Sequence, residues 1–208
     1  MKTMKIAKVL ALGGAGLVTA WSLAALSATA LTMDTAVDQR QYTGDGDWDV
    51  GRTKAECAQT GAVAGVSVNP SNGVAHSMLC QATPNISRNF DTVDYALGDN
   101  RHDTATGDWD PGYTKGECPA NYRLLGMSED PVFGQLSRLQ CSATGITHHC
   151  HAVVFANGDN RGTTSTGDWA PGFFKGECAT NEVVKGVSKT FCGGSPHAIL
   201  CCQVAFTL

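Results

Sequence analysis

The chain has 208 residues, a net charge of −4 at neutral pH, 24 glycines and few aromatic residues. The acidic balance argues against a nucleic-acid partner, because phosphate binding needs an excess of lysine and arginine, and against attraction to acidic membranes. Many glycines and few aromatic residues predict a modest core with numerous turns.

Residues 1–30 have the pattern of a secretory leader. Residues 1–8 contain three lysines, residues 9–26 are largely apolar, and residues 27–30 are small. This order predicts a signal peptide cut after Ala30, with an uncleaved membrane anchor as the alternative. Cleavage would bring the net charge from −4 to −7, because three lysines and no acid are lost. We expect a secreted, extracellular protein of bacterial origin that does not insert into membranes after cleavage.

Three copies of one motif follow the leader. Each copy has a Gly-Asp-Trp triplet, then a Lys-x-Glu-Cys segment, and a second cysteine 23 residues after the first. Identical spacing predicts one structural unit built three times, as repeats 31–88, 89–148 and 149–208 of one domain. In an exported chain it also predicts three equivalent disulfides. These are Cys57–Cys80, Cys118–Cys141 and Cys178–Cys201.

Three of the nine cysteines have no counterpart in the other copies. They are Cys150, Cys192 and Cys202. Either two of them pair and leave one thiol, or one of them bridges to another chain.

Short apolar or alternating runs separated by turn residues predict an all-β fold with about four strands per repeat and little helix. Three such units favour a pseudo-threefold closed β architecture of the β-trefoil type, with a β-prism or three tandem mini-domains as alternatives. The first repeat has no obvious opening strand. The apolar run 203–206 is therefore expected to complete that repeat and close the ring.

The residues that recur around the triplet are candidates for ligand binding. A tryptophan ring offers a flat apolar face to a sugar, and neighbouring carboxylates accept hydrogen bonds from hydroxyl groups. The predicted glycan-binding residues are Asp47, Trp48, Asn100, Arg101, Asp108, Trp109, Asn160, Arg161, Asp168 and Trp169. The alternative for the tryptophans is a place in a small core, with each indole N–H bonded to a backbone oxygen.

Two groups of side chains are candidate metal ligands. Calcium prefers oxygen ligands on turns, which Asp99, Asn100, Asp103, Asp108 and Asp110 offer, although such side chains also bond to their own turns. The segment 148–151 (His-His-Cys-His) offers transition-metal ligands, but its spacing is too tight for a zinc site and favours a linker with a bridged cysteine.

A lysine and a glutamate two residues apart precede the first cysteine of each copy. Exposed pairs of this kind contribute little to stability, so we expect them to fix the register of a hairpin. The pairs are Lys54/Glu56, Lys115/Glu117 and Lys175/Glu177.

These patterns favour a secreted, non-enzymatic, lectin-like protein with up to three equivalent sites for cell-surface or matrix glycans, whose multiplicity raises avidity. The alternative is a disulfide-stabilised scaffold, adhesin or inhibitor that binds an extracellular protein through its loops, with 128–134 and 142–151 as contact segments. A small extracellular hydrolase acting through His148, His149 and His151 is the third hypothesis. It has less support, because the sequence contains no serine-protease, phosphate-loop or zinc-protease motif.

Overall fold

The computed structural model describes residues 28–33, 37–83, 89–191 and 193–205. These residues form β-strands and one 3₁₀ turn at Thr104–Thr106, which confirms the all-β prediction. No helix among them has the length and apolar character needed to cross a membrane. The strands are β1 (Thr29–Thr32), β2 (Gln39–Arg40), β3 (Thr53–Glu56), β4 (Gly61–Val68), β5 (Ala75–Ala82), β6 (Phe90–Asp94), β7 (Asn100–Arg101), β8 (Thr114–Glu117), β9 (Tyr122–Glu129), β10 (Leu136–Ala143), β11 (Ile146–Val154), β12 (Asn160–Arg161), β13 (Phe174–Glu177), β14 (Glu182–Lys189) and β15 (Pro196–Ala205).

The strands form three five-stranded sheets of the same construction. The orders are β1-β5-β4-β13-β12 in sheet 1, β6-β10-β9-β3-β2 in sheet 2 and β11-β15-β14-β8-β7 in sheet 3. At the centre of each sheet is an antiparallel hairpin, formed by β4–β5, β9–β10 or β14–β15. The first long strand of each hairpin is almost entirely buried, as is typical of a strand covered on both faces.

The repeats exchange strands in a cycle. β3 of the first repeat lies in sheet 2, β8 of the second in sheet 3, and β13 of the third in sheet 1. The register is the same each time, with Glu56 opposite Gly126, Glu117 opposite Gly186 and Glu177 opposite Gly65. No sheet is therefore complete within one repeat. The sheets themselves are open, so the closed, β-trefoil-like architecture stays a prediction.

The expected closure of the ring by the C-terminal run is wrong. Gln203, Val204 and Ala205 pair with β11 of their own repeat. The first repeat has its own opening strand, β1, which pairs with β5 as β6 pairs with β10. The residue after β1, Met33, is buried like its counterparts Tyr95 and Phe155. Sequence reasoning missed β1 because Thr29 and Ala30 were assigned to the leader.

Cleavage after Ala30 would remove the first half of β1. A chain that begins at Leu31 lacks the pairings of Thr29 with Cys80 and of Ala30 with Leu79, which a chain beginning at Ala28 keeps. With about 1 kcal/mol for each of two lost hydrogen bonds, we expect the shorter chain to melt about 4–8 °C lower. Calorimetry of the two purified chains measures this difference, and equal melting temperatures would contradict it.

The three predicted disulfides are confirmed, and a fourth joins Cys150 to Cys202. Cys192, the ninth cysteine, lies outside the described residues. Each repeated disulfide joins the end of an exchanged strand to the hairpin of its own repeat: Cys57 follows β3 in sheet 2, whereas Cys80 lies in β5 of sheet 1. Each therefore ties two sheets together. Four disulfides are compatible with an oxidising, extracellular compartment.

Candidate functional site

The Gly-Asp-Trp triplet lies in the loop before each exchanged strand. Because that strand joins the next repeat's sheet, the motif lies where two repeats meet. We call these contacts joint 1–2, joint 2–3 and joint 3–1, after the repeat that supplies the exchanged strand and the repeat that supplies the hairpin. The Trp residues at the three joints are Trp48, Trp109 and Trp169, and all are partly buried.

Trp109 and Trp169 are each held from two sides, by a buried glutamate and by a glycine of the next hairpin. The indole Nε1 of Trp169 donates to Glu177 Oε2 at 3.0 Å. The ring packs on Gly65 of the next hairpin, where a Cβ would lie 3.1 Å from Trp169 Cζ2 and 2.7 Å from the Gly176 carbonyl oxygen. Only glycine allows this approach. The same donor–acceptor contact is 3.0 Å for Trp48–Glu56 and 3.1 Å for Trp109–Glu117.

The glutamates are fully buried, so the recurring lysine and glutamate do not form exposed pairs. Glu177 Oε2 also accepts from Arg161 Nε at 2.6 Å, and Thr166 Oγ1 donates to Glu177 Oε1 at 2.5 Å. In joint 2–3 the arginine, Arg101, donates to the Gly107 carbonyl instead. Burial raises the pKa of the Glu117 carboxyl against the opposing effect of its hydrogen bonds to Thr106 and Trp109.

The recurring asparagines support the backbone. Asn100 Nδ2 donates to the Asp94 carbonyl oxygen at 2.7 Å, and Asn160 Nδ2 donates to that of Val154 at 2.9 Å. The predicted glycan residues thus lie near one another within each joint, but most of their polar groups already have partners inside the protein.

The lysines are buried in an oxygen cradle. Lys115 Nζ donates to the carbonyl oxygens of Asp110 at 3.1 Å and Tyr113 at 2.7 Å, and lies 3.0 Å from Asp108 Oδ1 and 3.3 Å from Asp99 Oδ2. Lys54 makes the same contacts with Asp47 and Asp38. Lys175 makes them with Asp168 and Asp159. The hydrogen bond from Lys54 holds the pKa of Asp47 below its usual range. The aspartates of the triplets therefore hold an internal ammonium.

The predicted calcium ligands are not gathered around one point. Asp99 and Asp108 contact Lys115, whereas Asp103 pairs with Lys185 and Asp110 accepts from Ser188 and lies 2.9 Å from His197 Nδ1. The predicted ligands do not surround one point because the Lys115 ammonium lies where the Asp99 and Asp108 oxygens could otherwise hold a cation.

The rings of His148 and His149 are in contact, with centroids 4.7 Å apart, but other members of the histidine segment have partners elsewhere. Cys150 is in a disulfide, His149 contacts Gln203, and His151 Nδ1 lies 3.7 Å from Glu182 Oε1. Within the described residues, one group of three potential ligands lies close together: His151, Glu182 and Cys201. Cys201 is bonded to Cys178, so its sulfur is not a thiolate. This arrangement gives no support to a metal site at 148–151 or to the third hypothesis, a hydrolase that acts through His148, His149 and His151.

Sequence reasoning missed a cluster of the three hairpin turns, whose described residues are 69–74, 130–135, 190–191 and 193–195. The turns have matching backbone hydrogen bonds, such as Gly73 N to Asn69 O at 2.7 Å and Gly134 N to Asp130 O at 2.8 Å. Gly73, Gly134 and Gly194 have positive φ and pack against a neighbouring turn: a Cβ would lie 2.5 Å from Val74 at Gly134 and 2.6 Å from Gln135 at Gly194. The three turns therefore meet, and we call this surface the apex. The turn residues between the apolar runs predicted turns but not that the three turns meet.

The apex exposes large apolar side chains. Val132 is 76% exposed, Phe133 68% and Phe191 73%. The backbone that carries Val132 and Phe133 is ordered by Asp130, whose Oδ1 accepts from their N–H groups at 2.8 and 3.0 Å. Asp130 itself pairs with Arg52 of the first repeat. The apex thus presents two phenylalanines and a valine on a braced backbone. A comparison with models of known families, with curated proteins and with solved structures finds no match.

Proposed function

We propose that the protein is an extracellular binding scaffold whose apex inserts into an apolar pocket of a protein partner. The observation that carries this proposal is the exposure of Val132, Phe133 and Phe191 on turns that pack against one another. Large exposed apolar patches mark interaction sites, and aromatic anchors dominate binding energies. Turns already ordered by internal hydrogen bonds lose little entropy on binding.

The shape and charge of the apex favour a protein over a lipid surface. Turns of hairpins project outward, so their complement is a concave surface. Arg52, a basic side chain that contacts the turn of β9–β10, is neutralised by Asp130. A net charge of −4 for the whole chain also opposes binding to acidic lipids.

The cyclic strand exchange supports the proposal that the three repeats form one domain. Each hairpin depends on a strand from another repeat, and each repeated disulfide connects two sheets. Such a framework would hold the three turns in a fixed relation while the partner binds. A secreted location, as the leader predicts, would explain the number of disulfides.

Glycan binding at the joints is the second candidate function. The favouring observation is that each tryptophan stays partly exposed beside an exposed aspartate, such as Asp108 with 58% of its side chain accessible. Because the aspartates, the arginines and the indole N–H groups already have partners inside the protein, fewer hydrogen-bonding groups remain for a sugar than the sequence predicted. We therefore rank this function below the apex.

Replacing both apex phenylalanines should abolish binding without unfolding the protein. Phe133→Ser with Phe191→Ser removes both anchors, and we expect affinity for cells of the producing organism to fall about 30-fold or more, the effect of losing a 2 kcal/mol anchor. Flow cytometry with the labelled protein measures binding. Protease treatment of the cells should remove the binding sites, whereas glycosidase treatment should not.

Leu97→Ser is the matched control, because Leu97 is 95% exposed but lies outside the apex. It should bind like the wild type, and all variants should keep the wild-type melting temperature. Undiminished binding by the double variant would refute the apex proposal, and glycosidase-sensitive binding would favour the glycan sites.

A further inference from the structure

Joint 1–2 differs from the other two joints at a position that contacts the buried glutamate. Five residues after the recurring arginine, the second and third repeats have Thr106 and Thr166, whereas the first has Asp45. Thr106 Oγ1 donates to Glu117 Oε1 at 2.8 Å, and Thr166 Oγ1 donates to Glu177 Oε1 at 2.5 Å. An ionised aspartate has no proton with which to make this bond.

The missing donor leaves two buried oxygens without hydrogen-bond partners in the described part of the chain. They are Glu56 Oε1 and Asp45 Oδ2. The other oxygen of each carboxylate is satisfied by the same guanidinium: Arg40 donates to Glu56 Oε2 at 2.8 Å and to Asp45 Oδ1 at 2.5 Å. One arginine therefore holds two carboxylates side by side. Burying an unsatisfied carboxylate oxygen is costly, and two adjacent carboxylates resist ionising together.

We propose that Asp45 and Glu56 share one proton between Asp45 Oδ2 and Glu56 Oε1, in the place of the threonine hydroxyl proton of the other joints. The shared proton satisfies both orphaned oxygens. It also leaves one negative charge opposite Arg40, so the buried cluster is electrically balanced. This site does not depend on the proposed function of the apex.

The surrounding groups are consistent with a bound proton. Trp48 Nε1 donates to Glu56 Oε2, and the nearby Asp38 and Asp47 are engaged with Lys54. From the facing hairpin, Arg138 donates to the Trp48 carbonyl and lies 3.5 Å from Asp49, so it is directed away from the carboxylate pair. The neutral amide of Gln140 lies beside Gly126, opposite Glu56, and its Nε2 and Oε1 have no hydrogen-bond partner in the described part of the chain.

The shared proton makes the joint pH-dependent. Burial, with a further contribution from the Asp45 charge, raises the pKa of Glu56 from 4.5 to about 7, against the opposing hydrogen bonds from Arg40 and Trp48. The folded state therefore binds this proton more tightly than the unfolded chain does. The resulting stability is fully present below pH 4.5 and is lost as pH rises through about 7. Because Arg52 of the same loop pairs with Asp130, joint 1–2 also braces an apex turn.

Asp45→Thr tests the proposal by giving joint 1–2 the hydroxyl of the other joints. Denaturant unfolding with the disulfides intact gives the folding equilibrium constant at each pH. Between pH 5.5 and 8 we expect the constant of the wild-type protein to fall roughly 30-fold through this proton, as linkage predicts for this pKa shift. The constant of Asp45→Thr should fall less, because burial alone then raises the pKa of Glu56. The ratio of the two constants removes the pH dependence that the two proteins share.

Thr166→Asp is the reciprocal variant, because Arg161, Thr166 and Glu177 repeat the geometry of joint 1–2. This variant should add a second pH-dependent fall in the folding equilibrium constant, of the same size as that of joint 1–2. Carbon-13 NMR of the Glu56 carboxyl in the wild-type protein reads the proton directly and does not depend on any variant folding. A titration midpoint near 7 supports the site. A midpoint in the ordinary glutamate range overturns the proposal. So does a folding equilibrium constant of Asp45→Thr that depends on pH as strongly as that of the wild type.

Discussion

Lys115→Met is expected to lower the free energy of unfolding by about 3 kcal/mol, the lower end of the range for breaking a buried ion pair. The ammonium is the common partner of two carbonyl oxygens and two carboxylates, and 4% of the Lys115 side chain is exposed. Methionine keeps the length of the side chain but leaves these oxygens without their donor. The lower end applies because Asp99 and Asp108 are about half exposed, so water partly compensates them.

Asp108→Asn is the matched control for the lysine cradle. It removes one carboxylate charge but keeps the shape, and because that side chain is 58% exposed we expect a loss below about 1 kcal/mol. Urea unfolding of both variants gives the comparison. Lys54→Met and Lys175→Met should resemble Lys115→Met, since their contacts are the same. A loss below 1 kcal/mol for Lys115→Met would show that the cradle does not stabilise the fold.

The same cradle predicts the response to calcium. An ammonium occupies the place that a cation would take between Asp99 and Asp108. We therefore expect neither calcium nor a chelator to change the wild-type unfolding midpoint. A calcium-dependent rise in stability would favour the calcium hypothesis instead.

The strands and repeated disulfides could be predicted because they depend on local patterns. A fixed 23-residue spacing preserves the register of a hairpin, and alternating apolar runs identify strands. The exchange of β3, β8 and β13 between repeats could not be predicted. Three similar hairpins offer each of these strands similar partners, and nothing in the local pattern identifies which copy it joins.

The burial of the Lys-x-Glu segment was missed for a different reason. Charged side chains are normally exposed, so the general rule placed Lys115 and Glu117 on the surface. Their partners, Asp99 and Trp109, lie outside the strand that carries the Lys-x-Glu segment. The loop before that strand brings them into contact with Lys115 and Glu117. A signal was nevertheless present: an aspartate precedes each lysine by 16 residues in all three copies. That fixed spacing could have indicated a direct contact.

Trp169→Ala should also destabilise the protein by about 3 kcal/mol, the low end for truncating a tryptophan, since the ring is only partly buried. The loss combines the packing against Gly65 with the hydrogen bond to Glu177. Trp169→Phe keeps an aromatic ring and should lose only about 1 kcal/mol, the value of the hydrogen bond. Urea unfolding distinguishes the two losses.

These variants also separate a structural tryptophan from a glycan site, because the three repeated tryptophans dominate the fluorescence of the chain without its leader. If the indole serves the joint, polysaccharides should leave the wild-type emission unchanged, and Trp169→Ala should be unstable. If it serves a ligand, one glycan class should produce a saturable change that weakens in Trp169→Ala while the unfolding midpoint stays near the wild-type value. The second result would assign the tryptophans and their aspartates to a binding site. A joint that stays folded without the indole ring does not need that ring for stability, so its presence in all three copies would then reflect ligand binding.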